Sequence, residues 1–221
     1  LGAADYKLTY HTKKGRSVYS FCMCPGGVVV NAASEFEITV TNGMSYFARS
    51  LPNANSALVV NVKPEDFGSE HSLAGIDFQR RWERAAYELT GNHKLPVQLV
   101  GDFLKKTRST LLGSIEPSSP SGYVLSDLSD CLPYFVAEAL REALPEFNSK
   151  IAGFSAKDAV LSGVETRTSS PIKIIRGEDF CCNVEGVYPA GEGAGYAGGI
   201  MSAAADGIRT AVQIIKKYKP F

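Results

Sequence analysis

The chain has 221 residues, 44% of them hydrophobic, with 23 basic and 23 acidic side chains and a formal net charge of +0. That balance excludes the basic excess or stripe of a nucleic-acid binder, and no run of about 18 apolar residues is present to cross a membrane as a helix. The length suits one large domain or two small ones with a real core. The first residues lack the apolar centre of a signal peptide. The cysteines are Cys22, Cys24, Cys131, Cys181 and Cys182. An odd count with C-x-C and C-C spacings makes a poor disulfide framework, so a reducing, cytoplasmic setting is expected. His11, His71 and His93 lie close to none of them in sequence, and no metal site is expected.

Residues 5–62 read mostly as β. Val18-Tyr19-Ser20-Phe21-Cys22-Met23-Cys24 has strand character after the turn Lys14-Gly15-Arg16. Pro25-Gly26-Gly27 then predicts a hairpin-like bend into Val28-Val29-Val30-Asn31-Ala32. Phe36-Glu37-Ile38-Thr39-Val40 alternates and runs into Asn42-Gly43, a turn signal. Residues 56–62 are a continuous apolar run, expected to form a strand buried on both faces. In the polar stretch before it, Asn53 and Asn55 either line a site with neutral donors and acceptors or satisfy turn backbone. Cys22 and Cys24 are candidate redox thiols because the turn after them would expose a sulfur; the alternative is Cys22 as a small core residue.

Residues 63–155 read as largely helical. A helix opens near Ser72, carries Phe78, Trp82, Ala85 and Leu89 on one stripe, and closes at Gly91. Residues 97–104 are ambiguous and enter a short helix. Residues 112–122, with two prolines and four serines, form a loop, as a lid or a spacer. A further helix starts with Pro133 in its first turn, and Pro145 ends or interrupts it.

From Ala159 the pattern returns to β, at 159–166, 172–176 and 187–190. A final helix runs from about Gly199 to Lys217, with Ile200, Ala204, Ile208, Ala211 and Ile215 on one stripe. Small residues at Gly199, Ala203 and Gly207 predict close approach, most simply by tight packing on a sheet. Lys216, Lys217 and Lys219 complement the helix dipole as a solvated end. The fold class expected is α+β: a mixed or antiparallel β-rich part at 5–62 and a helical part at 63–155, followed by a strand, glycine-rich turn and helix.

That last element carries the most chemistry. Gly193, Gly195 and Gly198 spell G-x-G-x-x-G, yet a dinucleotide fingerprint also needs a second strand and an acid about 20 residues on. Here that distance leads into Lys216-Lys217-Tyr218-Lys219-Pro220-Phe221, and the fingerprint reading fails. A strand ending in Tyr188-Pro189-Ala190-Gly191-Glu192, followed by Gly198-Gly199 and a helix, instead resembles the C-terminal flavin-contacting motif of FAD-dependent oxidoreductases. Phe21-Cys22-Met23-Cys24-Pro25-Gly26-Gly27, Thr41-Asn42-Gly43-Met44-Ser45, residues 53–60 and Glu165-Thr166-Arg167-Thr168-Ser169-Ser170-Pro171 extend the similarity to a family of bacterial FAD-dependent dehydrogenases.

The resemblance implies a C-terminal fragment lacking the N-terminal Rossmann glycine motif. Residues 1–158 would be a substrate-side insertion domain, and 159–221 the closing segment of an FAD-binding domain whose last strand rejoins the nucleotide-binding sheet. It implies FAD in the full-length protein, bound weakly or not at all by this chain alone, with NAD(P) as a possible electron partner. Glu192 would accept hydrogen bonds from sugar hydroxyls of FAD, flanked by Gly191, Gly193 and Gly195. The N–H groups around Gly198, Gly199 and Ile200 would face the flavin. Arg167 would anchor an anionic group, with a surface salt bridge as the alternative; Asn53 and Asn55 would lie on the substrate side. The partners implied are a small-molecule substrate and the missing N-terminal half, with no nucleic acid and no membrane. Two other classes remain open: a module binding a small anion in the glycine turn, and a structural or oligomerisation domain.

Overall fold

A computed structural model of the chain describes residues 8–218. The expected β character of residues 5–7, and Lys219 of the basic run, lie outside the described residues. The fold is α+β, and the chain divides into two units. Unit 1 holds the described residues up to Lys63 together with Gln79–Thr166; unit 2 holds Pro64–Phe78 and the described residues from Arg167 onward.

Unit 1 is built from three small sheets. β1 (Leu8–His11), β2 (Ser17–Cys24) and β5 (Asn55–Val60) form an antiparallel sheet in the order β1-β2-β5. β3 (Gly27–Asn31) pairs with β4 (Thr41–Ser45). β6 (Leu95–Leu99) lies between β7 (Tyr123–Leu125), to which it is parallel, and β8 (Val160–Ser162), to which it is antiparallel, and it runs directly into the short helix α2 (Val100–Lys105). The core is the face of α3 (Tyr134–Lys150) that buries Ala137, Leu140, Ala143, Leu144 and Phe147, together with Leu8, Val18, Val100, Phe103, Leu128 and Val164. α1 (Ala74–Thr90) contributes Ala86 to that core, with Ala85 and Leu89 against it. Gly91 ends α1 as expected, at φ 68 and donating to the Tyr87 carbonyl. Trp82 is half-buried, with the Arg81 guanidinium 5.1 Å from its ring.

Four expectations for unit 1 are corrected. The Pro25-Gly26 bend closes no hairpin, because β2 pairs with β1 and β5 while β3 pairs with β4; the bend passes the chain from one sheet to another. Asn42-Gly43 is inside β4 and not a turn, and residues 36–40 form no ladder. Gly43 is there for space: a Cβ on it would collide with Oδ1 of Asn55, the close approach that glycine in a strand often marks. Residues 63–155 are less helical than expected, since β6 and β7 lie within them. β6 hides from pattern reading because its sequence carries Pro96 and Gln98 in a central strand. Gln98 is fully buried and satisfied, its Nε2 donating to Thr107 O (2.8 Å) and its Oε1 accepting from Leu128 N–H (2.9 Å), as a buried amide requires. Finally, Pro133 precedes α3 as its N-cap, and Pro145 sits within that helix without ending it. Burial of Phe147 and Leu144 around Pro145 outweighs the hydrogen bond that a helical proline forfeits.

Unit 2 contains a 3-10 turn at Pro64–Phe67, the start of α1, and α4 (Ile200–Lys217). The strands expected at 172–176 and 187–190 are absent, because neither segment has a ladder partner among the described residues. The last helix has the expected bounds but not the expected orientation. Its buried residues are Asp206 and Thr210, whereas Ile200, Ala204, Ile208, Ala211 and Ile215 are all exposed. Among the described residues unit 2 has no strand to receive that stripe; Asp206 and Thr210 are the side chains that the helix buries.

Candidate functional site

In unit 2 the glycine-rich segment is a run of turns leading into α4. Gly191 (φ 71) and Gly195 (φ 82) adopt the left-handed conformation that glycine tolerates. Gly195 also packs on backbone, since a Cβ there would lie 2.5 Å from Ile172 O. The turn is closed internally, with Gly195 N–H donating to Glu192 O (2.9 Å) and Tyr196 N–H to Gly191 O (3.0 Å). Gly193 and Gly198 are different. A Cβ on either would meet nothing within 4 Å, so no neighbour in the chain demands glycine there. Gly199 precedes α4 as N-cap at φ 173, ordinary extended backbone, with no side-chain cap. Ile200 is exposed at the head of the helix. Glu192 is half-buried, and its carboxylate meets no hydrogen-bond donor or cation among the described residues.

A pair that the sequence reading missed holds this turn. Arg176 and Asp206 form a two-pronged ion pair, Nη2–Oδ1 2.6 Å and Nη1–Oδ2 3.0 Å, with side chains only 8% and 10% exposed. The Arg176 guanidinium lies 3.7 Å from the Tyr196 ring centroid and 4.0 Å from that of Phe180, and it donates to Pro189 O at 2.6 Å. Asp206 Oδ2 accepts the Gly191 N–H at 2.9 Å. The Arg176 guanidinium beside Asp206 holds its carboxyl below the usual range, burial opposes, and the Gly191 N–H adds to the lowering. One carboxylate on α4 thus ties the helix to the corner where residues 187–190 enter the turn. The only sequence signal was an Asp in an otherwise small and apolar helical stretch. Arg167 is exposed in the same unit.

In unit 1 three of the motifs meet. β2 shifts register between Phe21 and Cys24, with Cys22 at φ 54. Cys24 pairs with Asn55, Gly27 pairs with Ser45, and Gly27 N–H donates to Asn53 O at 2.8 Å. Asn55 Nδ2 donates to Val28 O (3.2 Å), and Asn53 Nδ2 to Glu116 O (2.7 Å). Gly26 and Gly27 pack against the Arg49 and Met44 carbonyls, where a Cβ would collide. Asn53 and Asn55 therefore satisfy backbone and tie loops together, one of the two roles their sequence context allowed.

Cys22 is exposed and Cys24 half-buried, the Cys24 Sγ donating to Cys22 O at 3.4 Å. Desolvation, then Cys24 and Glu165, push the Cys22 thiol up. Burial likewise raises the Glu165 carboxyl. A thiol kept protonated is a weak nucleophile, which counts against Cys22 as an activated residue. Cys131, fully buried, is pushed up to about 12, chiefly by burial. In the native protein Cys131 should therefore resist an aromatic disulfide reagent until urea unfolds the chain. Cys22 should react, and more slowly at pH 8 than a free thiol of about pKa 8.5; mapping by mass spectrometry after timed quenching checks both. Among the described residues no group of three His, Cys, Asp or Glu side chains gathers as metal ligands would, and no helix is long and apolar enough to cross a membrane.

Comparison with known proteins places the chain. The family described as "FAD-dependent protein, C-terminal domain-like" matches residues 1–168, and the chain belongs to it. A protein of Clostridium beijerinckii, described as an uncharacterised protein, is 57% identical over an aligned length of 221 residues that covers 99% of this chain and 42% of that relative. The chain thus spans less than half the length of the curated relative it matches.

Proposed function

We propose that the chain is the C-terminal part of an FAD-dependent oxidoreductase, a dehydrogenase, and that the turn at 191–199 forms part of its flavin cradle. The observation that carries this reading is the half-buried Glu192 carboxylate, which has no partner among the described residues, next in sequence to Gly193, where a Cβ would meet nothing within 4 Å, as it would at Gly198 further along the turn. An unpartnered acceptor beside bare backbone fits a polyhydroxyl group such as ribityl or ribose. Family membership supplies the flavin. When bound, that group takes up and passes on a hydride or electron pair.

Glu192 accepts hydroxyl hydrogen bonds, Gly191 and Gly195 shape the turn, and Gly193 leaves room. The N–H groups of Gly198, Gly199 and Ile200, at the head of α4, favour the negative charge that develops on reduction. In this reading residues 159–221 close an FAD-binding domain, with Arg167 binding an anionic group there, and residues 1–158 lie on the substrate side, where Asn53 and Asn55 shape the loops. The remaining half of the cradle is the chain's partner, so this segment alone binds FAD weakly or not at all. NAD(P) as electron partner rests on the resemblance alone. Five free thiols support a cytoplasmic setting.

The anion-module reading is weaker. An anion nest needs open N–H groups and no carboxylate at its centre, yet the Gly191 N–H is already taken by Asp206 and Glu192 stands in the middle of the turn. The test is the whole reading frame, expressed and purified. It should be yellow, and Glu192→Ala should weaken flavin binding about 10- to 100-fold, the loss of one charge-assisted hydrogen bond. A colourless protein that ignores added FAD would end the proposal.

A further inference from the structure

In unit 2, Cys181 and Cys182 lie in a reversal of the chain and not in a strand, where adjacent side chains would point to opposite faces. Phe180 precedes them with a left-handed φ of 66. Both sulfurs turn to one acceptor: Cys181 Sγ and Cys182 Sγ each donate to Val184 O at 3.6 Å. Val184 N–H donates back to Cys182 Sγ at 3.3 Å. Val187 N–H also donates to Val184 O, at 3.1 Å. A carbonyl oxygen has two lone pairs, so three donors crowd this one, and both thiol hydrogens can leave without stranding it. Sulfurs that share an acceptor lie on one side of the chain, and rotation about their Cα–Cβ bonds brings them together. Cys181 is buried and Cys182 half-buried. The other thiols lack this arrangement: Cys24 Sγ donates to Cys22 O and Cys131 Sγ to Leu128 O.

The peptide between the two cysteines is itself a tie. Its carbonyl, Cys181 O, accepts the Gly177 N–H at 2.8 Å, and its N–H, that of Cys182, donates to Val187 O at 2.9 Å. Gly177 follows Arg176, whose guanidinium holds Asp206 on α4. Val187 opens the segment that runs into the glycine turn. One peptide unit therefore joins the two ends of the loop 177–187. Whatever turns that peptide acts on both ends at once.

We infer that Cys181 and Cys182 are a reversible oxidation site, converted by a small disulfide of the glutathione class into a vicinal disulfide that loosens the loop 177–187. Cys182, the more accessible of the two, attacks the oxidant as its thiolate and displaces one small thiol. Cys181 then attacks Cys182 Sγ and displaces the second. The two protein protons end on the two small thiols, so one dithiol is oxidised and one disulfide reduced. Closing the bond must distort the peptide: a disulfide usually spans a Cα separation of about 4.4–6.8 Å, whereas neighbours across a planar trans peptide sit about 3.8 Å apart. The group that twists is the one that bonds Gly177 and Val187. A strained disulfide of this kind is readily reduced again, which suits a switch in a reducing compartment. The inference is independent of the flavin reading, and its test uses the 221-residue chain without cofactor.

The chain is treated with glutathione disulfide, quenched with acid and digested with trypsin. The peptide 177–209 carries these two cysteines and no other. It should be two hydrogen atoms lighter after treatment and regain them with dithiothreitol. Cys181→Ser should stop at the mixed disulfide on Cys182, because the attacking sulfur is gone. Amide exchange followed by NMR supplies the second readout: the Gly177 and Cys182 N–H groups should exchange at least about 10-fold faster in the oxidised chain, as local opening requires. A peptide 177–209 that carries two mixed disulfides, is linked to a second chain, or stays reduced while the exposed Cys22 is fully modified overturns the inference. So does a vicinal disulfide that leaves both exchange rates unchanged, since the loop would then not respond to it.

Discussion

Asp206→Ala should destabilise the chain by about 3–5 kcal/mol, the loss expected when one partner of a buried ion pair is removed and the other stays. The remaining Arg176 is 8% exposed and stacked between two rings, so water reaches it poorly. Gly191 N–H loses its acceptor in the same step. A 23.7 kDa chain has a total stability of only about 5–15 kcal/mol, so the substitution should release α4, seen as lost helical signal and rapid exchange over Ile200–Lys217. Replacing both partners, Arg176→Met with Asp206→Leu, should recover part of the loss, because no charge is then stranded. The pair also sets a pH dependence. Asp206 is held below its unfolded value of about 3.9, so its contribution is present in full above that pH and fades as pH falls through the depressed folded value. Urea unfolding of the wild type at pH 7, 5 and 3 should show the midpoint dropping chiefly between the last two, and Asp206→Ala should flatten that part of the profile.

The sequence revealed a good deal of this molecule where a local rule decides the outcome. α4 was legible to within a residue because its periodicity runs unbroken to the lysines, and Gly91 was legible as a helix end because a left-handed residue after the last turn is a strong signal. Which way α4 faces was not legible. A periodic stripe says that one side of a helix is apolar; it does not say that the surface burying it lies in the same chain. The strands at 172–176 and 187–190 failed for the same reason, since a strand exists only with a neighbour. Gly43 misled because the Asn-Gly signature of a turn also fits a strand position pressed against Asn55. β6 was hidden by Pro96 and Gln98, each tolerated by partners distant in sequence. In the candidate site the turn and Glu192 were visible as a motif. Arg176 was not, because it lies 30 residues from Asp206 and only the fold brings the two together.

Gly26→Ala should destabilise the chain by about 3 kcal/mol or more, and Gly15→Ala by only about 1–2 kcal/mol; the contrast isolates why the first glycine is needed. Both have positive φ, 53 and 75, so an alanine at either pays the left-handed penalty of about 1–2 kcal/mol. At Gly15 that is all, because a Cβ would meet nothing within 4 Å. At Gly26 the Cβ would also run into the carbonyl of Arg49. That carbonyl has little room to give: Arg49 is itself left-handed at φ 49, its N–H donates to Tyr46 O at 3.0 Å, and Leu51 N–H donates back to Gly26 O at 3.4 Å. Overpacking against backbone adds about 1–3 kcal/mol. Urea midpoints of the two variants measure the difference. The rate at which Cys24 reacts with a thiol reagent supplies a second readout, since loosening the Gly26 turn should uncover this half-buried sulfur two residues away. Equal midpoints would mean that the loop holding Arg49 yields freely, and that the convergence of the three motifs is looser than their distances imply.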